Sequence, residues 1–425
     1  MSVYNSNIQT RIVDPVFDRE SFRTEFRLGG TNALYLSNMR LINMGIETTA
    51  DNQYIPLLGA WCMKSIHIYD GNKLLDQLLE STIYKAFQNF NNTNDKSMSS
   101  ETQLDRTSWN FMVNNETADL TGNRFDPTDL TIVKVFDNAA IDKAAGQGYN
   151  SSWLSLKGLL PFLSSSLYVP TTVFTNLRIV IEWKNPNELK DCVVDRATVE
   201  NNYKGTALVV DEVVGGSGRD LALKNYQGVV FRAVEVDSVN VNSQIPPAGQ
   251  SKTQDNRFLV NGFNNKTVER MLVVQTPLDS TSWINGNTTV GNSNVGSQAQ
   301  LNNEFQFRVN GQNVLPRTGY TKKNQRLAAL TDTYGECCLI PMGNYSYVPR
   351  LEDFLDEIDP FVLGSTDYTA VEIRRPVREL VVEYNRTNVE GIDNGAINQA
   401  LRLNLFGEVV KSIRVDNGSY VISYL

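Results

Sequence analysis

At 425 residues, 41% apolar and 9% aromatic, the chain is long enough for two domains that each bury a core without disulfide staples. A formal net charge of −8 argues against tight nucleic-acid binding through a broad basic face. The single histidine, His67, excludes His-rich zinc sites and multi-histidine acid–base schemes, and Cys62, Cys192, Cys337 and Cys338 make no disulfide framework.

The opening segment, "MSVYNSNIQTRIVDPVFD", lacks the apolar core of a signal peptide, and no stretch approaches the ~18 apolar residues that span a bilayer. A protein made and kept in a reducing compartment is expected. Residues 1–20 read as an arm, with Val13, Val16 and Phe17 among polar residues. Arg11, Arg19, Arg23 and Arg27 alternate there with Asp14, Asp18, Glu20 and Glu25, a pattern that suggests pairing between subunits. Gly29-Gly30-Thr31 lacks the Lys-Ser/Thr that would reach a phosphate, so it reads as a turn feeding "NALYLSNMRLINMGI", a strand buried on both faces. "KSIHIYDGNK" alternates Ile66 and Ile68 against Ser65, His67 and Tyr69. That makes it a strand with His67 facing solvent or an interface.

Residues 72–90 carry Leu75, Leu78, Leu79, Ile83, Phe87 and Phe90 at helical spacing and predict a helix. Polar excursions at 89–110 and 137–153 follow. "TNLRIVIEW" puts Leu177, Ile179, Ile181 and Trp183 on one strand face. A seam falls between 184 and 228, placed near residue 200, and the glycines at 215, 216 and 218 read as turns. In the later half, 282–303 is a long polar loop. Asn310-Gly311 and Asn417-Gly418 each center a hairpin, because both residue types tolerate the positive φ of a type I′ turn. Residues 350–361 predict a second helix, acidic on its outer face and ended by Pro360. "VRELVVEYN" sets Leu380, Val382 and Tyr384 on one face of a strand.

No GxSxG, HExxH, CxxC or EF-hand spacing occurs. No catalytic residue is assigned, and no metal or cofactor is expected. Many strands in two similar halves predict an all-β, mainly antiparallel protein: two jelly-roll β-sandwiches in one chain, with a few short helices in the connections. The expected division is an arm at 1–20, a first roll at 21–198 and a second roll at 199–425.

"VFDRESFRTEFRL" followed by "YLSNMRLINMGI" resembles the opening of double jelly-roll major capsid proteins of the polinton-like virus, adintovirus and virophage type, within the adenovirus and large-DNA-virus lineage. "KSIHIYDGNKLLDQL" is similar to that family's strand–turn–helix, with Asp70-Gly71 as the turn, and "FQFRVNGQNVLP" and "RLAALTDTYG" also resemble it. The resemblance covers roughly 15–80 and 305–345.

It implies a virion protein, assembled inside the host cell and not secreted, that forms homotrimeric pseudo-hexameric capsomers tiling an icosahedral shell. The partners it implies are further copies, penton proteins and minor capsid proteins, with no specific nucleic acid; an internal membrane is compatible with it. Residues 89–130, 137–172 and 282–303 are then the loops expected to reach outward or grip a neighbor. Val13, Val16, Phe17, Arg19 and Arg23 are the expected interface residues, on an arm tying capsomers to one another or to minor proteins. Deleting 1–18 is expected to spare trimers and impair shells. Beside this stand a penton or receptor-binding virion protein, a glycan-binding sandwich using Trp61, Trp109, Trp153, Trp183 and Trp283, and a carboxylate enzyme on a β scaffold.

Overall fold

The computed structural model describes residues 7–16, 23–30, 32–42, 45–47, 53–56, 63–81, 84, 141–142, 153–183, 206–242, 251–277, 303–315, 319–320, 325, 329, 332–334, 367–389, 400–416 and 418–425. The cysteines, the predicted helix at 350–361, the segment 89–110 and nearly all of 282–303 lie outside them, as do Trp61, Trp109 and Trp283.

The earlier part holds β1 (Asn7–Val13), β2 (Arg23–Leu28), β3 (Leu34–Leu36), β4 (Arg40–Ile42), β5 (Gly45–Glu47), β6 (Gln53–Pro56), β7 (Met63–Asp70) and β8 (Lys73–Leu79). It continues with β9 (Ile141–Asp142), β10 (Trp153–Ser155), helix α1 (Pro161–Ser165), β11 (Tyr168–Pro170), β12 (Leu177–Trp183) and β13 (Ala207–Gly215). Helix α2 (Ser217–Lys224) leads into β14 (Gly228–Val241), β15 (Ser251–Val260), β16 (Lys266–Pro277), β17 (Asn303–Val309) and β18 (Gln312–Asn313). The chain ends with β19 (Asp367–Val377), β20 (Leu380–Val389), β21 (Leu401–Asp416) and β22 (Ser419–Tyr424).

Among the described residues every strand pairing is antiparallel. Leu208 on β13 faces Val13 of β1 on one side and Leu41 of β4 on the other, and Glu212 faces Tyr35 of β3. β3 and β4 therefore act as one broken strand, and β11 and β10 continue the sheet beyond them. The facing sheet runs β2-β12-β7-β8. Counted in chain order, with each broken strand taken once, the two sheets read 1-8-3-6 and 2-7-4-5, the eight-stranded jelly-roll order. The second part repeats it: β14-β21-β16-β19 against β15-β20-β17-β18, with β22 added beside β21. A small sheet, β5-β6-β9, lies apart. The two rolls share a continuous hydrophobic core that includes Phe26, Ile66, Phe162 and Ile179 from the first and Phe263, Phe307, Tyr384 and Phe406 from the second.

This topology corrects several expectations. Residues 7–13 are the first strand of the first roll, not a free arm, and β13, beyond the expected seam at 198/199, is its last strand. Deleting 1–18 would therefore strip an edge strand from the roll. The "YLSNMRLINMGI" run breaks at Ser37–Met39 instead of continuing as one strand. There the Asn38 side chain turns to donate to Asp211 Oδ2 at 2.7 Å. The predicted helix at 72–90 fails over 73–79, where β8 pairs with β7. A register shift between Ile68 and Tyr69 leaves Leu75 without an opposite partner, so Leu75, Asp76 and Leu78 are all buried. A β-bulge thus produces a spacing that reads as helical. The glycine cluster after β13 opens a helix rather than a simple turn, with Gly216 at φ 107° ahead of α2. The stretch 153–172, expected as part of an outreaching loop, instead packs inward through Leu154, Leu156, Leu160, Phe162 and Val169.

Other elements follow the pattern directly. Asn310 and Gly311 sit at φ 53° and 79° between β17 and β18. Asn310 also donates through Nδ2 to the Pro376 carbonyl and accepts from the Arg378 N–H through Oδ1, so one turn anchors another. Gly228 has no substitute: at φ 105°, a Cβ there would lie 1.9 Å from the Ile413 carbonyl oxygen. Gly228→Ala should lower stability by roughly 2–3 kcal/mol, read from the urea midpoint.

Candidate subunit-contact surface

Among the described residues β1 is an edge strand, and its alternation decides what it offers. Residues directly opposite share a face. Thr10 opposes Asp211, and Ile8 and Ile12 oppose Val213 and Val209. On the other face Val13 opposes Leu208 and packs against the core. Ile8 is 51% exposed and Ile12 65%, and Val16, just beyond the strand, is 50% exposed. Ile8 and Ile12 lie on the side of the sheet away from the core, and Val16 adds a third exposed apolar side chain beyond the strand.

The strand is pinned tightly enough to present it. Thr10 Oγ1 donates to Asp211 Oδ1 at 2.6 Å, Arg40 lies 3.6 Å from Asp211 Oδ2, and Arg11 pairs with Glu212 at 2.9 Å. The Val16 N–H donates to the Glu25 carbonyl at 2.8 Å. Of the expected interface residues, the structure thus brings Val16 to the surface and leaves Val13 half-buried. Phe17 and Arg19 lie outside the described residues. Arg23 opens β2 and pairs within the chain.

Glu25, almost wholly buried on β2, is surrounded by Arg23 at 3.4 Å, Arg27 at 2.9 Å and Arg178 at 3.6 Å. The pairing expected between subunits is therefore internal for Arg11, Arg23 and Arg27: Glu212 of the neighboring strand β13 sits beside Arg11, and Glu25, two residues from each along β2, sits beside Arg23 and Arg27. Beside this cluster, Arg178 lies over the Tyr69 ring and His67 stacks on the same ring, 5.8 Å between centroids. His67 is on a strand, as its sequence pattern indicates, but buried rather than facing solvent. Ser65 directs its one proton to Glu182 Oε2 at 2.9 Å, so it accepts from His67 Nε2–H, also at 2.9 Å. Burial pushes the His67 pKa down, and the carboxylate of Glu182 opposes that shift.

Trp183, one of five proposed glycan platforms, is buried and donates through Nε1 to Thr24 Oγ1 at 2.7 Å. Among the described residues no group of three His, Cys, Asp or Glu side chains is placed to hold a metal ion, and no helix is long and apolar enough to cross a membrane. Sequence reasoning missed Ile8 and Ile12. Their period-2 spacing in "NIQTRIV" was the available signal.

No protein-family model matches the chain, and no curated protein matches it. Solved structures do. The mavirus major capsid protein matches with a TM-score of 0.52 at 8% identity, over 100% of this chain and 91% of that one. The Faustovirus major capsid protein matches with a TM-score of 0.50 at 7% identity, over 96% and 90%. VP54 of PBCV-1, fitted into a reconstruction of the virophage Sputnik, matches with a TM-score of 0.50 at 10% identity, over 100% and 99%. With two complete jelly rolls aligned over nearly its whole length, the chain has the fold of the mavirus and Faustovirus major capsid proteins.

Proposed function

We propose that this chain is a major capsid protein that closes into homotrimers and tiles an icosahedral shell. The observation that carries the reading is the repeated strand order, two eight-stranded rolls in one continuous chain. Three copies supply six similar rolls around a threefold axis, a pseudo-hexagonal unit that closes by heterologous contacts and packs in a sheet. A penton needs only one roll per chain, and the second roll here speaks against it. Light scattering on the purified chain tests the reading. Three times 47.6 kDa, about 143 kDa, is the expected mass, and a stable monomer or a pentamer overturns it.

The residues proposed to bind neighboring capsomers or minor capsid proteins are Val13, Val16, Phe17, Arg19 and Arg23, with Ile8 and Ile12 added from β1. An exposed apolar series on a firmly paired edge strand suits such a contact. Substituting Ile8→Asp and Ile12→Asp together should leave the melting temperature within a few degrees, because both side chains are already exposed. Trimers should persist while assembled shells, counted by electron microscopy, disappear. Normal shells from this variant would remove the series from the contact.

A further inference from the structure

Between the two rolls lies a buried set of charges that the capsid reading does not use. Asp76 on β8, 1% exposed, belongs to the first roll, and Lys411 on β21, 3% exposed, belongs to the second. β8 and α1 pack against β14 at this seam. Its apolar part is aromatic. Phe162 meets Phe231 edge-on at 5.8 Å, and Phe174 meets Tyr420 at 5.1 Å. Its polar part converges on Asp76, whose Oδ2 accepts from the Phe162 N–H at 2.8 Å and whose Oδ1 accepts from the Gln77 N–H at 2.9 Å.

Each element packed around Asp76 contributes to the balance. β21 brings the Lys411 ammonium, which also lies over the rings of Phe231 and Tyr424. β14 brings Glu235, which accepts from Tyr424 Oη of β22 at 2.7 Å and pairs with Lys266, at the head of β16, at 3.7 Å. α1, "PFLSS", brings no charge, only its backbone N–H.

We propose that Asp76, Lys411 and Glu235 form a proton-linked clasp between the two rolls, held most firmly when Asp76 carries a proton. Two backbone donors and a cation favor the carboxylate, yet it sits where water does not reach. Burial dominates and pushes its pKa up from 3.8 to about 7, against the Phe162 N–H and the Lys411 charge. A carboxyl whose pKa is raised in the closed state stabilizes that state fully below about 4 and loses the contribution as pH rises through about 7. Lys411, its own pKa pushed down mainly by burial, acts in the opposite sense below 10.5.

The test is hydrogen exchange by mass spectrometry on the full chain, following peptides over 73–80 and 158–166 from pH 5 to pH 8, corrected for intrinsic exchange. Protection at the seam should fall roughly ten- to hundredfold across that range. Lys411→Met removes a cation that favors ionized Asp76, so it should move the midpoint of the fall to higher pH. Glu235→Gln removes an opposing anion and should move it lower. Asp76→Asn should abolish the dependence. A merely structural seam would weaken in these variants without shifting a midpoint in opposite directions. Protection independent of pH in the unaltered chain, or one midpoint shared by it, Lys411→Met and Glu235→Gln, would overturn the proposal. The Lys411 and Glu235 variants decide the matter even where Asp76→Asn does not fold, and the readout does not depend on shell assembly.

Discussion

Replacing Phe162 by alanine should cost about 3–5 kcal/mol, the range for removing a fully buried aromatic ring from a core that cannot collapse around the gap. Phe162 has no exposed surface. Its ring contacts Phe174 edge-on at 5.7 Å within the first roll and Phe231 at 5.8 Å in the second. The change therefore removes transfer energy and two aromatic pairs, each worth about 0.5–1.5 kcal/mol beyond area. Its position makes the effect more than local. With the ring gone, the rolls lose one of the apolar contacts that couple them, Phe174–Tyr420 being another, and a single melting transition should broaden or divide. Calorimetry reads both consequences. A loss under about 1 kcal/mol would mean that the seam repacks around the space and that the rolls are held elsewhere.

Arg270→Ala should be comparably damaging, for an electrostatic reason. Arg270 pairs with Glu408 at 2.8 Å, donates to the Thr333 carbonyl at 2.9 Å and lies over the Tyr334 ring at 4.1 Å. Glu408 is buried, so deleting its partner leaves a carboxylate without compensation, typically about 3–5 kcal/mol. The segment that carries Thr333 and Tyr334 loses its anchor to the sheet as well. Arg270→Met combined with Glu408→Leu should recover most of the loss, since the double change removes the stranded charge along with its partner. Urea midpoints for Arg270→Ala and for the double variant measure this. If Arg270→Ala shifts the midpoint no more than a surface substitution does, the pair is solvated and the reasoning fails.

Much of the fold is legible in single strands. "TNLRIVIEW" and "VRELVVEYN" show their buried faces by alternation, and those faces are the ones in the core. Asn310-Gly311 announces its turn because only residues that tolerate positive φ complete it. Elsewhere local chemistry points the wrong way. Lys73 to Leu79 is rich in good helix formers, and its leucines recur at helical spacing. The Asp70-Gly71 turn and the ladder with β7 override that preference, and the bulge at Leu75 supplies the misleading period. β1 misleads in the opposite sense. Its isoleucines point away from the core, so the segment reads as a polar arm although it completes a sheet.

The contact surface and the seam differ in the same way. Val16 was legible as an apolar residue in a polar context. Asp76 was not, because in sequence it is an acid among leucines, indistinguishable from a solvated one. Only the approach of β21 and β14 makes it a buried neighbor of Lys411 and Glu235. Residue pattern carries the class: many short strands with one buried face, tight Asn-Gly turns, two halves of similar size and no recognizable catalytic or metal-binding motif. Tertiary structure alone decided which strand enters which sheet, where the first roll ends, which edge stays open and which charges meet. The physical reason is that side-chain alternation specifies that a strand has an inside, while backbone N–H and C=O groups are chemically the same on every strand and do not name their partners.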